Sequence, residues 1–280
     1  MRVMLFLIGA ALAASCSGGG GGDKDSGATS PAGTQASKQS SGGIWHGIPA
    51  ANESITLYIA ETGELIVQTS SPTSTPPSFG FGTGAVIVNS PNDVAGSYRL
   101  QSLPSGPVGF GQVSDKICEM NGTVTERSLL QVVVTCTDGS GNTAQQTVSL
   151  LYNPAYDLDS ALADIAGNYT TPFRPQTNTL NINASGVVFG MLDNGATCTV
   201  NGQVHVIDAR FNLYRFEIQL SLCQGVVNHV YEGVTLRGLA ARNLPGMPTG
   251  AFLLLVTGTP NGIFNGIPPF QFFSLLYERV

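Results

Sequence analysis

Charged side chains are scarce in this chain. Lys, Arg, Asp and Glu make up 11% of its 280 residues, where a typical domain has about 25%. The polar surface must therefore be built mainly from Thr, Ser, Asn, Gln and Gly. The few charges lean acidic, 12 Lys and Arg against 18 Asp and Glu. No basic cluster occurs, which excludes nucleic acid as a partner held by charge. Gly-x-Ser-x-Gly, His-Glu-x-x-His and phosphate-loop signatures are missing too. No cofactor is implied. Neither the N-terminal apolar run nor any later stretch reaches the roughly 20 apolar residues a helix needs to cross a bilayer. Cysteine is limited to five residues, and none has the close Cys-x-x-Cys spacing usual for zinc.

The N-terminus has a character of its own. Met1 and Arg2 make a short basic start, and Val3 to Ala14 is an unbroken run of apolar residues and glycine. Ala13, Ala14 and Ser15 are small, as a signal peptidase requires, so 1–15 is a signal peptide and not structure. The sequence "LAASC" resembles the lipobox of bacterial lipoproteins, with Ala13 and Leu12 in place of a large apolar residue three before the cysteine. That resemblance implies a lipidated Cys16 as the mature N-terminus. A plain secretory signal cut after Ala14 or Ser15 is the alternative. Residues 17–43 contain no Val, Ile, Leu, Met, Phe, Tyr or Trp. Such a segment cannot bury enough apolar surface to order itself. Residues 16–43 therefore read as a flexible Gly/Ser-rich tether, with a reach of roughly 30 Å. Ser17 stands where an Asp would resemble the retention signal of inner-membrane lipoproteins. The resemblance thus implies the outer membrane of a Gram-negative bacterium.

Past the tether, two segments look alike. "TLYIAETG" (Thr56 to Gly63) parallels "TLNINASG" (Thr179 to Gly186), "GIW" at 43–45 parallels "GNY" at 167–169, and "CEMNGTV" from Cys118 parallels "CTVNGQV" from Cys198. Ordered landmarks argue for a duplicated unit. Their spacing differs, which places an insertion near 70–114 in the first copy. Both copies read as β. In "NLYRFEIQLSL" (Asn212 to Leu222), Tyr214, Phe216, Ile218, Leu220 and Leu222 share one face, the period-2 alternation of a half-buried strand. "LLQVVVT" (Leu129 to Thr135) is a similar run. The second copy offers eight candidate strands near 167–171, 178–183, 186–191, 196–207, 211–222, 228–237, 250–257 and 270–279, and the first a similar number. "LDSALADIA" (Leu158 to Ala166) predicts a connector helix, with Asp157 as N-cap and Asp159 and Asp164 on its surface. The expected class is all-β. It comprises two tandem antiparallel up-and-down barrel-like domains, 44–156 and 167–280, joined by a helical connector at 157–166. A barrel removes exposed sheet edges, and a sandwich is the other solution.

Gly-x-Trp near a first strand also resembles the calycin pattern, in which the aromatic plugs one end of a small barrel. "GNYT", "TLNINASG" and "CTVNGQVHVIDARFNLYRFEIQLSLC" together resemble a group of uncharacterised Gram-negative lipoproteins with tandem Gly-x-Trp/Tyr β-repeats. The likeness covers most of 43–280 and is best over 158–237. It implies the lipoprotein class and a β architecture, and no established activity.

An exported chain meets an oxidising compartment, so four cysteines should pair. One bridge inside each copy, Cys118–Cys136 and Cys198–Cys223, is the economical solution among three. Phase supports the first. In the second, Cys223 is out of phase with Leu220 and Leu222, so a bulge or strand end must intervene. The histidines His46, His205 and His229 fall in separate candidate strands. His205 should face solvent. "GFGTG" (Gly80 to Gly84) lacks the strand-then-helix context of a nucleotide site and reads as a loop entering a strand. Glu217 shares a face with Arg215 and reads as part of a surface charge array. The proline-rich stretch 258–273 is a candidate apolar loop. No catalytic set assembles. The expectation is a non-enzymatic binding or interaction module of the cell envelope, held to the membrane by its lipid. Its partner would be an apolar small molecule or an envelope protein. A structural lipoprotein with filled barrels is the alternative, and an enzyme ranks third.

Overall fold

The computed structural model describes residues 39–49, 53–71, 78–104, 114–172, 178–193, 196–225, 228–259, 261 and 272–280. The signal peptide, Cys16 and the tether as far as residue 38 lie outside the described residues, as do 262–271 of the proline-rich stretch. Eight strands form the first domain: β1 (Gly43–Gly47), β2 (Ser54–Ile59), β3 (Glu64–Ser71), β4 (Ser78–Val88), β5 (Asp93–Pro104), β6 (Ser114–Thr125), β7 (Leu129–Asp138) and β8 (Thr143–Tyr152). Eight more form the second: β9 (Gly167–Thr170), β10 (Thr179–Ile182), β11 (Val187–Asp193), β12 (Ala196–Val206), β13 (Tyr214–Gly225), β14 (Thr235–Arg242), β15 (Phe252–Thr257) and β16 (Phe272–Arg279). Each set closes into an antiparallel barrel, β8 pairing with β1 and β16 with β9.

Alternation builds both interiors. In β7, Leu130, Val132 and Val134 face inward against Cys118, Met120 and Val124 of β6. In β13 the inward set is Tyr214, Phe216, Ile218 and Leu220. Outward positions of β8 are Thr143, Gln145, Thr147 and Ser149, all exposed. Other outward positions are apolar, Leu151 of β8 and Val187, Phe189 and Met191 of β11, so the outer faces are mixed, while the packed apolar interiors differ from the polar lumen of a lipid-spanning barrel. The Gly-x-Trp/Tyr residues do the same job twice. Trp45 and Tyr169 are buried, and each donates to a backbone carbonyl four residues upstream, Ser41 at 3.0 Å and Ile165 at 2.9 Å.

Two of the three repeat landmarks coincide in the structure. Gly63 and Gly186 turn their hairpins at φ +86° and +80°. Their carbonyls accept from Val86 and Val204, both at 2.8 Å. The third landmark does not coincide. Cys118 lies in the sixth strand of its barrel and Cys198 in the fourth of its own. Both barrels have eight strands, so the expected insertion adds none. The likeness reflects a shared local demand instead. Gly122 and Gly202 each follow their cysteine by four places, where a Cβ would lie 1.9 Å from Gln131 O and 2.2 Å from Glu217 O.

Both expected bridges form, Cys118–Cys136 and Cys198–Cys223. The first joins residues directly opposite in the β6–β7 register. The second needs a register shift between Thr197 and Thr199. Leu222, at φ +51°, turns outward to 73% exposure while Cys223 turns in. Leu222 therefore leaves the face expected for it, and the phase conflict at Cys223 is resolved by this bulge.

Several local expectations are corrected. "GFGTG" lies within β4 and is paired on both sides, by β3 and β5; Gly82 and Gly84 give the room that Tyr98 of β5 occupies. The candidate strand at 228–237 is a single helical turn, α2 (Asn228–Tyr231), followed by β14. The connector is not one helix. A 3-10 turn at Pro154–Asp157, capped by Asn153, precedes an extended piece and one turn of α1 (Leu162–Ile165). Ser160 holds that piece extended, its N and Oγ donating to Ala209 O and Asp208 O at 2.9 and 3.1 Å. Asp157 is no N-cap: it accepts from Tyr152 Oη at 2.8 Å and pairs with Arg127. The tether also ends sooner than residue 43. Gln39 N donates to Pro91 O at 2.8 Å, and its side chain accepts from Glu126 N at 3.0 Å.

The barrels share a third core. Ile44, Tyr58, Ala60 and Ile66 of the first pack with Leu239, Ala241 and Leu255 of the second, around Tyr156, Phe211 and Leu213. Tyr156 stacks on Phe211 with centroids 4.8 Å apart, and the guanidiniums of Arg127 and Arg210 lie 5.6 and 5.2 Å from that ring. Asn212, fully buried, donates to Ala155 O and Arg242 O and accepts from Arg242 N. "VIDARFNLYRF" is thus the stretch that joins the barrels.

Candidate functional site

A concavity opens where the two barrels meet. Pairing of β1 with β2 sets Ile44 opposite Tyr58 and His46 opposite Thr56. Trp45 occupies the barrel interior, so these neighbours face outward. Ile44 and Tyr58 are 1% and 3% exposed and form the floor. His46, exposed, stands at the rim with its Nδ1 3.0 Å from Thr56 Oγ1. One wall is the chain leaving β8, namely Tyr152, Asn153 and Pro154. It is fixed because Asn153 N donates to Ile44 O at 2.8 Å and Asn153 Oδ1 accepts from Ala155 N at 3.0 Å. The opposite wall is Leu244 and Pro245, just past β14. The groove encloses about 540 Å³. Among the described residues its lining contains no Asp, Glu, Lys or Arg. Ligand sites are usually concave, mostly apolar, and found where domains meet.

A second concavity, of about 520 Å³, lies on the outer face of β12, β13 and β14. Asn201, Gln203, His205, Glu217, Gln219 and Thr235 line it. Glu217 does not pair with Arg215. It faces Arg237 in the β13–β14 register, and Arg237 Nε donates to it at 2.9 Å. That hydrogen bond and the charge behind it hold the Glu217 carboxyl below its ordinary value, so it stays a carboxylate and offers no general acid at neutral pH. Arg215 reaches across the junction to Glu64 of β3, its Nε donating to Oε1 at 3.0 Å.

No family model, curated protein or solved structure matches this chain.

The histidines are dispersed. His46 lines the first concavity and His205 the second, while His229 is exposed on α2. Among the described residues, no group of three or more His, Cys, Asp or Glu is placed to hold a metal ion. Asp164 accepts from Ala161 N at 2.9 Å and pairs with Arg242. Of the groove residues, sequence reasoning singled out only His46. Tyr58 carried a signal that could have found it: an aromatic ring in phase with Thr56 and Ala60, outside the inward row of Leu57 and Ile59. Leu244 and Pro245 carried none, because their place depends on how the barrels dock.

Proposed function

We propose that the chain is a lipid-anchored, non-enzymatic binding or interaction module of the cell envelope, tethered through Cys16 to the outer membrane of a Gram-negative bacterium. One observation carries this reading. Among the described residues the inward rows of both barrels are packed apolar side chains, and a shared core joins one barrel to the other. Such a body is a rigid scaffold, and its recognition surface is its outside, where the groove at the junction lies. These packed apolar interiors also favour a second reading, a structural lipoprotein without a ligand. The test is native mass spectrometry of the full chain extracted from its own envelope. The expected spectrum carries a lipid mass on the N-terminal peptide and a co-purifying small molecule or protein. Cys16→Ser should lose the lipid mass and the membrane fraction. An unlipidated wild-type chain would overturn the anchor, and a chain that arrives alone would favour the structural reading.

A further inference from the structure

Tyr58 is 3% exposed, yet its hydroxyl has no hydrogen-bond partner among the described residues. Every fully buried side-chain nitrogen and oxygen among those residues does have a partner. The Tyr58 oxygen is therefore not sealed in, and Tyr58 lines the groove. Water meets that hydroxyl in the open groove, and a ligand that displaces the water must offer an acceptor or leave the donor unmet at a cost of about 1–3 kcal/mol. Burial raises the phenol pKa above its ordinary value, which keeps the proton on the oxygen and the group a donor.

We propose that the groove binds an uncharged, largely apolar small molecule, and that Tyr58 recognises it by donating a hydrogen bond to a carbonyl or ether oxygen. This deepens the binding-module reading and rests on it. The walls decide the rest of the ligand's chemistry. Ile44, Pro154, Leu244 and Pro245 offer apolar surface. A charged ligand would leave water without meeting a counter-charge, because among the described residues the lining holds no acidic or basic chain apart from the imidazole of His46 at the rim. The ligand would touch both barrels at once.

The probe is prodan, an uncharged naphthalene ketone whose emission shifts to the blue in apolar surroundings, titrated into the mature full chain. The competitor is the same naphthalene without its ketone. The wild type should bind prodan saturably at one site. Tyr58→Phe removes only the hydroxyl; it should weaken prodan about 5-fold and leave the ketone-free competitor unchanged. Thr56→Trp, on the outward face of β2, should fill the groove and abolish both. Circular dichroism and thermal midpoint verify that the variants fold. Absent saturable binding to the wild type, equal prodan affinity in Tyr58→Phe, or undiminished binding in Thr56→Trp would each overturn the proposal. If native mass spectrometry still finds a bound species in those cases, the groove assignment fails while the binding-module reading stands. If the chain comes out of the envelope alone yet prodan binds as described, the site is real and the envelope ligand is what fails.

Discussion

Asn212 shows how much one residue can hold. Its amide joins the connector at Ala155 to the end of β14 at Arg242 through both its donors and its acceptor. Asn212→Leu keeps the volume but strands those three backbone groups, and should cost roughly 3 kcal/mol in urea denaturation. Leu222 offers the opposite case. It sits at φ +51° with 73% exposure, so its side chain adds strain and little packing. Leu222→Gly should raise stability by about 0.5–1 kcal/mol, read as a higher denaturation midpoint. Glu64 gives the junction an acid sensitivity. Partial burial pushes its pKa up, but hydrogen bonding and charge from Arg215 outweigh this and hold it below its ordinary value of 4.5. A depressed folded pKa means stability present above the unfolded value and lost as pH falls through the folded one. Wild type should therefore lose more thermal stability than Glu64→Gln between about pH 6 and about pH 3. The difference should be small and shrink in salt, because both side chains are half exposed.

At the scale of elements, each barrel is stapled at one hairpin. The β6–β7 bridge links directly opposite residues, and the β12–β13 bridge links residues brought together by a bulge. Peptide mapping of unreduced protein should link Cys118 to Cys136 and Cys198 to Cys223, with no link between barrels. Replacing either pair by Ala should cost about 3 kcal/mol, since loops of 18 and 25 positions are closed. A cross-barrel link would contradict the register of both hairpins.

For the molecule as a whole, the shared core makes two barrels one body. Phe211 is sandwiched by Tyr156 and two guanidiniums at its centre. Domains joined by small polar contacts move independently, whereas an apolar interface couples them. Scanning calorimetry should give one transition for the wild type. Phe211→Ala removes about 3–5 kcal/mol of packing and should split that transition into two, one per barrel. Two transitions in the wild type would show that the junction is weaker than its core suggests.

Strand existence and count were legible because alternation is local: the row from Tyr214 to Leu220 announces its own inward face. The first disulfide was legible for the same reason, since Cys118 and Cys136 lie in phase with Met120 and Val134. The conflict at Cys223 correctly demanded a bulge, but not that Leu222 would be the residue turned outward. What failed were segments whose conformation is imposed from far along the chain. The connector has helical composition, yet Ser160 is held extended by Asp208 and Ala209, some fifty residues away. "GFGTG" reads as a loop by composition, yet its glycines serve a strand that must clear Tyr98. Glu217 found Arg237 across a strand pair, while Arg215 found Glu64 across the barrel junction. The sequence by itself determined an all-β chain, most of its inward faces and the Cys118–Cys136 pair, because these follow from short-range periodicity, whereas Cys198–Cys223 followed only from one bridge per copy being the economical solution. Only the tertiary structure decided that the barrels fuse through Phe211 and Asn212 and that Tyr58 ends in a groove. Those facts depend on which outward faces meet, and a strand's own pattern marks a face as outward without naming what covers it.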